Sequence, residues 1–278
     1  MKIAVLTDSS ADISAEEARV KGIHVIRFPL VIDGEEHTEA ETITLEEFTQ
    51  RMYDGALAKT SQPVVGLLLE KWDELLKEYD HVIYACISAG ISGAYETAAA
   101  QARNYDGKVT VLNTCYVAYP MQTLCVEIQK MIDNGFTPEE IKEKVETSEK
   151  MDAILIPGDL KYLKRGGRIS AQAAALGNLL KIVPLLLVAE GKIDAYTKVR
   201  TSKKAYEEAL KYFEDRTDNY EDYYWYVVHA DCEELGKELR DRTAALTGQE
   251  VLFEKLYPVI MAHTGPGSVA IARSKKRI

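Results

Sequence analysis

The chain has 278 residues, of which 46% are hydrophobic and 28% charged, a composition typical of a globular protein with a sizeable core. Its formal net charge of −10 argues against a general nucleic-acid-binding protein, because neutralising phosphates requires a basic surface. The longest apolar run, VPLLLVA at 183–189, is far too short to span a bilayer.

Strands alternate with helices through the first part of the chain. The expected strands are KIAVLT, IHVIRFPLVI, HVIYACI, KVTVLNT and DAILIP. The expected helices cover 15–21, 45–53, PVVGLLLEKWDELLKEY, GAYETAAAQAR, YVAYPMQTLCVEIQKMIDNG and TPEEIKEKVETSEK. This alternation is typical of βαβ units, so it predicts an α/β domain with a largely parallel sheet over residues 1–157.

Three of these helices begin with a capping-box pattern, in which Ser or Thr stands three positions before Glu. The three pairs are Ser14/Glu17, Thr44/Glu47 and Thr137/Glu140. In such a box the hydroxyl accepts the backbone N–H of the Glu, and the Glu carboxylate accepts the backbone N–H of the capping residue. The pattern therefore fixes three helix starts.

The pattern changes after about residue 157. A short helix with a Gly-Gly turn (DLKYLKRGGRIS) is followed by a small-residue helix (AQAAALGNLLK) and a hairpin around Glu190–Lys192. The remaining segments are SKKAYEEALKYFEDR, YYWYVVHA, a helix near 232–246, VLFEKLY and GSVAIAR. They predict a second, α+β domain over residues 158–278, with the boundary near 155–160.

The four cysteines show neither a C-x-x-C pair nor a His partner at zinc-ligand spacing. They are therefore expected to be buried free thiols, and no metal is expected. The first residues, MKIAVLTDSSADIS, contain no long apolar stretch of the kind that a secretory signal needs. Both observations favour a reducing, cytoplasmic location.

The loop SAGISGA, which joins a strand to a helix, contains two serines, Ser88 and Ser92, among small residues. One interpretation is a serine nucleophile, since GISGA resembles the G-x-S-x-G elbow, with His263 as base and Asp194 or Asp231 as acid. Another is an anion-binding loop at a helix N-terminus. A third is simple capping of the helix by Ser92.

Three further turns carry polar groups. KTSQPVVG places Thr60 and Ser61 before a helix, where a serine also serves as an N-cap. LKRGGRIS places two glycines between Arg165 and Arg168, either as an anion nest or as a helix C-cap. HTGPGS is expected to form a stiff loop just after a strand, with His263 at its root.

Basic residues are concentrated between Gly158 and Lys204, where ten Lys/Arg stand against three Asp/Glu. The segment carries +7 on a chain that is otherwise −17. It is interpreted either as a solvated face or as a docking surface for an acidic or phosphate-bearing partner, with Arg165 and Arg168 at its centre.

The chain resembles the DegV family of bacterial fatty-acid-binding proteins. The resemblance rests on an ordered set of motifs: TDSSAD, KTSQP, SAGISGAYETA, LKYLKRGGRIS, EGKI followed by KVRT, and HTGPGS. It covers nearly the whole chain, and it implies two α/β domains with a fatty acid held between them. The chain departs from the family pattern at Ala89, Ala94 and Val64, which removes possible hydroxyl donors, and at Ala270, where a glycine is common.

Carried onto this sequence, the resemblance implies that the fatty-acid carboxylate is bound by Ser61, Ser92, the Gly93 backbone, His263 and Arg200. Thr60, Ser88 and Gly265 are expected as secondary contacts. It also implies a carrier rather than an enzyme, with no cofactor, that presents its fatty acid to a separate ATP-dependent kinase for conversion to an acyl phosphate. A serine hydrolase using Ser92 and a lipid-responsive sensor remain as alternatives.

Overall fold

The computed structural model describes residues 1–176 and 182–278. Its first half is built on a four-stranded parallel sheet in the order β2-β1-β6-β7. Every residue of β1 and β6 is buried, as expected for strands covered on both faces. The strands of this half are β1 (Ile3–Asp8), β2 (Ile23–Ile26), β3 (Pro29–Ile32), β4 (Glu35–Thr38), β5 (Ala58–Thr60), β6 (His81–Cys86) and β7 (Val109–Asn113).

Three of the six helices of this half begin where the capping patterns predict. Both hydrogen bonds of the capping box are present at Ser14/Glu17 and at Thr137/Glu140, and Thr44 accepts the N–H of Glu47 at 3.1 Å. The helices are α1 (Ala15–Lys21), α2 (Leu45–Tyr53), α3 (Val65–Leu75), α4 (Ala94–Ala102), α5 (Tyr119–Asp133) and α6 (Pro138–Thr147).

The single extended run predicted over residues 23–32 is two strands. The first, β2, joins the parallel sheet, whereas β3 belongs to a separate antiparallel sheet in the order β4-β3-β5. The break occurs at Phe28, whose N–H is taken by the hydroxyl of Ser9 (3.0 Å) and whose neighbour Pro29 has no N–H to donate. This small sheet ends with β5 at Thr60, and so it fixes the position of the KTSQP turn.

A six-stranded sheet in the order β10-β9-β8-β13-β11-β12 supports the second half. The pairing of β11 with β12 is parallel and the other four pairings are antiparallel. The strands are β8 (Asp152–Ile156), β9 (Val183–Ala189), β10 (Lys192–Val199), β11 (Tyr223–His229), β12 (Val251–Lys255) and β13 (Val269–Lys275). The helices are α7 (Lys161–Gly166), α8 (Ala171–Leu176), α9 (Ser202–Glu214), α10 (Glu233–Thr247) and α11 (Pro258–Thr264).

Strand β8 pairs with β9 and β13, so it belongs to the six-stranded sheet although it precedes the boundary expected at 157. One expectation about this half needs correction. The HTGPGS loop follows a helix rather than a strand, because Pro258 takes the first turn of α11 and His263 lies in its last turn.

The hairpin expected around residues 190–192 is present. Glu190 and Gly191, with φ of 49° and 72°, form the two-residue connection between β9 and β10, and both angles are those of a type I′ turn. The helix expected over AQAAALGNLLK begins as α8, and its part over 177–181 lies outside the described residues.

The two halves share a buried interior. One cluster of buried apolar side chains includes residues of both large sheets, such as Tyr84 and Tyr226, and a second lies between the six-stranded sheet and the helices α9 and α10. The C-terminal residues return to the first half, where Arg277 donates to Glu127 (2.9 Å) and to the Tyr116 hydroxyl (2.8 Å). In the described residues, no helix combines the length and apolar character needed to cross a membrane.

Candidate functional site

A cavity lies between the parallel sheet and the six-stranded sheet, and its empty space, including open solvent at its mouth, is about 950 Å³. Most of its wall is apolar and comes from both halves of the chain. The apolar lining residues are Phe28, Ile87, Ile91, Val117, Ala118, Pro120, Met151, Ala153, Leu155, Leu163, Val188, Ile193, Val228, Leu256, Val259, Ile260, Ala270 and Ala272.

Small side chains on the six-stranded sheet create much of this space. Ala153 of β8 lies directly opposite Ala272 of β13, and Ala270 is two residues away on the same face. All three line the cavity, where larger β-branched residues would fill a sheet surface of this kind. The sheet therefore forms a trough suited to an elongated apolar ligand.

The polar side chains of the lining come from both halves of the chain. Thr60, Ser61 and Gln62 come from the end of β5, Ser92 from the loop before α4, and Arg168 and His263 from the second half. The structure thus brings together Ser61, Ser92 and His263, three of the residues that the sequence analysis assigned to a carboxylate.

His263 is tied to the first half through Thr60. Its Nε2 lies 2.7 Å from the Thr60 hydroxyl, whereas its Nδ1 is buried without a hydrogen-bond partner and faces Gly166. Burial, helped by the nearby charge of Arg168, lowers the pKa of His263 to about 4. The imidazole is therefore neutral near pH 7, and it acts through hydrogen bonding rather than through charge.

Ser92 stands at the start of α4. Its hydroxyl oxygen accepts the N–H of Ala94 at 3.2 Å, which leaves the hydroxyl hydrogen available to another acceptor. Gly93 is the N-cap residue of α4, and a side chain there would approach the amide oxygen of Gln62. Ser92 thus precedes the N-cap residue, and its hydroxyl oxygen satisfies one backbone N–H of the first turn of α4.

Two of the expected secondary contacts, Ser88 and Gly265, have structural roles. The Ser88 hydroxyl is buried, donates to the carbonyl of Gly191 at 2.8 Å and accepts the N–H of Gly90. Gly265 has a φ of 77° and packs against the ring of Tyr162, where no β-carbon would fit. Ser88 therefore locks the loop onto the β9–β10 hairpin, and Gly265 allows a close turn.

The positions of Arg168, Arg165 and Arg200 differ from those expected from the sequence. Arg168 lines the cavity and donates through Nε to the carbonyl of Ile91 at 3.3 Å. Arg165 is exposed over the ring of Tyr162. Arg200 is exposed just after β10 and is absent from the cavity lining, because the end of this edge strand leads away into α9. Arg168, which was predicted as a docking residue, therefore lines the cavity, whereas Arg200, which was predicted to bind the carboxylate, does not.

The residues considered for a hydrolase do not converge. A catalytic His needs a carboxylate at its second nitrogen, yet Nδ1 of His263 has no partner. Asp194 is exposed and accepts from Ser170, and the Asp231 carbonyl accepts from Tyr53 at 3.5 Å. Within residues 1–176 and 182–278 there is also no group of acidic, His or Cys side chains that could hold a metal ion.

The sequence analysis treated Thr60 as a secondary contact and Arg168 as a docking residue, whereas both line the cavity. Thr60 is the last residue of β5, and its side chain faces the cavity, whereas the adjacent Ser61 is mostly exposed. The signal available in the sequence was the strand ending at KTSQP, since neighbouring residues of an extended chain point to opposite sides. For Arg168, the only signal in the sequence was the Gly-Gly-Arg pattern, which is equally typical of a helix C-cap.

Comparison with known proteins agrees with this architecture. A family model for the uncharacterised proteins of the DegV family matches residues 2–276. A DegV domain-containing protein of Streptococcus pneumoniae is 34% identical over 277 residues, which are 98% of this chain and 98% of that protein.

Two solved structures superpose on nearly the whole chain. A DegV family protein of Thermus thermophilus, described for its fatty-acid binding, has a TM-score of 0.90 at 29% identity and covers 99% of this chain and 100% of its own. A fatty-acid-binding DegV family protein of Streptococcus agalactiae has a TM-score of 0.90 at 30% identity and covers 99% of both chains. With the family match over residues 2–276, these likenesses show that the chain belongs to the DegV family.

Proposed function

We propose that this protein binds a long-chain fatty acid, with the acyl chain in the apolar cavity and the carboxylate at the polar cluster. The observation that carries the proposal is a mostly apolar cavity whose few polar lining residues include Thr60, Ser92, Arg168 and His263, drawn from both halves of the chain. An amphiphile with one anionic end fits that division. The fatty-acid binding described for the two structural relatives supports the same ligand class.

The acyl chain supplies most of the affinity. Burying about fourteen methylenes at ~0.8 kcal/mol each gives roughly 11 kcal/mol before costs. Losing free motion and ordering the chain cost several kcal/mol or more, so a dissociation constant near micromolar or tighter is expected.

The carboxylate is held by hydroxyl and guanidinium donors. In the tautomer that carries its hydrogen on Nε2, His263 donates to the Thr60 oxygen and leaves the Thr60 hydroxyl hydrogen for the ligand, and Ser92 donates from the start of α4. The backbone N–H of Gly93 and the guanidinium of Arg168 complete the cluster. Ser61, exposed at the mouth, makes at most an outer contact.

We infer further that the protein is a carrier, which presents its fatty acid in the cytoplasm to a separate ATP-dependent kinase. Lys164 and Arg165 lie exposed on α7, beside the segment that leads to Arg168, and Arg200 is exposed after β10. These cations suit an acidic or phosphate-bearing partner. Arg200 is accordingly assigned to this surface rather than to the head group.

Extraction of the purified protein followed by mass spectrometry tests the proposal, together with titration of added palmitate or oleate. We expect a bound long-chain acid, and a roughly tenfold or larger loss of affinity in Ser92→Ala, since a hydrogen bond to a charged acceptor is worth about 1.5–3 kcal/mol. Arg19→Ala, an exposed change on α1, is the control. Repeated absence of an acyl chain, with no binding of added acid, would overturn the proposal.

A further inference from the structure

The segment at residues 8–12, within TDSSAD, organises three walls of the cavity. Asp8 accepts the N–H of Ile87 (2.9 Å), Ser9 accepts the N–H of Phe28 (3.0 Å), and the Ser10 carbonyl accepts the N–H of Ala118 (2.7 Å). Phe28, Ile87 and Ala118 all line the cavity. Each therefore takes its position from this one turn after β1.

The same segment reaches across to the second half. Asp12, with a φ of 50°, accepts the N–H of Tyr257 through Oδ1 at 3.0 Å. Tyr257 is the N-cap residue of α11, the helix that supplies Val259, Ile260, His263 and Thr264 to the cavity. The segment that positions Phe28, Ile87 and Ala118 therefore also positions helix α11 beside the cavity.

A second buried carboxylate holds the same end of α11. Glu39 accepts the N–H of Val259 through Oε2 at 3.2 Å, and its Oε1 faces the Arg27 guanidinium at 3.3 Å. Asp12 and Glu39 are 3% and 1% exposed, so water cannot replace either acceptor. Two acceptors from the first half therefore satisfy N–H groups that a helix start leaves without internal partners.

His263 lies in the last turn of α11, where its ring must meet Thr60 across the two halves. A shift at the first turn of so short a helix moves its last turn by a similar amount. We propose that Asp12 and Glu39 are positioning residues for fatty-acid recognition, which act through α11 to hold His263 against Thr60. This inference rests on the proposed function, because it assumes that the polar cluster binds the carboxylate.

The test compares hexadecanoate with 1-hexadecanol, measured by displacement of a fluorescent fatty-acid probe from the full chain. The ratio of the two affinities isolates head-group recognition from the burial of the tail. In Asp12→Ala we expect this ratio to fall roughly tenfold, about the worth of one hydrogen bond to a charged acceptor, with little change for the alcohol. Asp12→Asn keeps a carbonyl acceptor and tolerates the left-handed backbone, so it should retain the ratio.

The matched control is Glu127→Gln. Glu127 is also a buried carboxylate that joins the halves, through Arg277, but it does not touch α11. It should lower stability and leave the ratio unchanged. In a His263→Ala background, Asp12→Ala should have no further effect on the ratio. If Asp12→Ala does not fold, Glu39→Ala makes the same test, with Glu39→Gln as its conservative partner.

Acid and alcohol affinities that fall by the same factor in Asp12→Ala would overturn the inference, as would a further loss in the His263→Ala background. A wild-type protein that binds both ligands equally, or neither, would instead overturn the proposed head-group site, and this inference with it.

Discussion

Thr60 at the end of β5 and His263 at the end of α11 meet across the two halves of the molecule, with 2.7 Å between the threonine hydroxyl and Nε2. They are 203 positions apart in the chain. The head-group cluster that we propose is therefore complete only when both halves are in place, and its geometry depends on how they pack together.

Because of this contact, we expect the Thr60 hydroxyl to contribute more to fatty-acid binding than the Ser61 hydroxyl of the same turn. Thr60→Val should weaken fatty-acid binding by roughly tenfold or more, because it removes the donor closest to His263. Ser61→Ala should change affinity by less than about threefold, since that side chain is mostly exposed to water. Titration with palmitate checks both, and a larger effect at Ser61 would contradict this ranking.

The buried His263 makes stability depend on pH. Its pKa falls from 6.5 to about 4 on folding, so the contribution is present above pH 6.5 and is lost as the pH drops through 4. At 1.36 kcal/mol per pKa unit, the loss is about 3 kcal/mol. Urea unfolding at pH 7 and pH 4.5 should show a smaller difference for His263→Gln than for the wild type. An equal pH dependence in both would exclude this role for His263.

The buried Glu39 should make stability change with pH in the opposite direction. Burial raises its pKa from 4.5 to about 7, so folding disfavours the ionised form, and stability should decline as the pH rises from 4.5 through 7. The decline attributable to Glu39 is on the order of 3 kcal/mol. In Glu39→Gln the unfolding free energy should decline less over that range. A slope identical to that of the wild type would argue that Arg27 fully compensates the carboxylate.

Gly166 and Gly167 form a matched pair. A β-carbon at Gly166 would lie 2.5 Å from Nδ1 of His263, so Gly166→Ala should push the ring away from Thr60 and weaken binding by roughly tenfold. Gly167→Ala meets no atom within 4 Å but has a φ of 67°, so it should cost about 1 kcal/mol of stability without affecting binding. Calorimetry and ligand titration separate the two effects, and equal binding losses would contradict them.

Substitutions at Arg165 and Arg168 should distinguish docking of the partner kinase from binding of the fatty acid. Arg165 is exposed, so Arg165→Glu should slow association with the partner kinase, with the deficit shrinking at high salt, and leave fatty-acid affinity unchanged. Arg168→Glu should impair both, because Arg168 lines the cavity. Surface plasmon resonance at two ionic strengths, beside palmitate titration, is the measurement. Unaltered association in Arg165→Glu would remove α7 from the docking surface.

Local patterns in the sequence predicted most of the elements. The pairs Ser14/Glu17 and Thr137/Glu140 fixed two helix starts because both members act within one turn of chain. Glu190–Gly191 fixed a hairpin for the same local reason. The ordered motifs also led to the family and to segments that line the cavity, including those of Ser92 and His263.

Other features depended on contacts between distant parts of the chain. An apolar run such as DAILIP suits a parallel or an antiparallel neighbour equally, so only the completed sheet assigned β8 to the second half. The placement of His263 on a helix likewise required Asp12 and Glu39 to receive the first turn of α11.

The sequence by itself determined where strands, helices and small-residue loops occur, since these depend on the periodicity and capping of neighbouring residues. The tertiary structure decided which polar groups face the cavity. Thr60 and Ser61 are adjacent, yet Thr60 is hydrogen-bonded to His263 whereas Ser61 is exposed, and Arg168 rather than Arg200 lines the cavity. The physical reason is that the direction of a side chain at the end of a strand is set by the packing of that strand against a distant part of the chain.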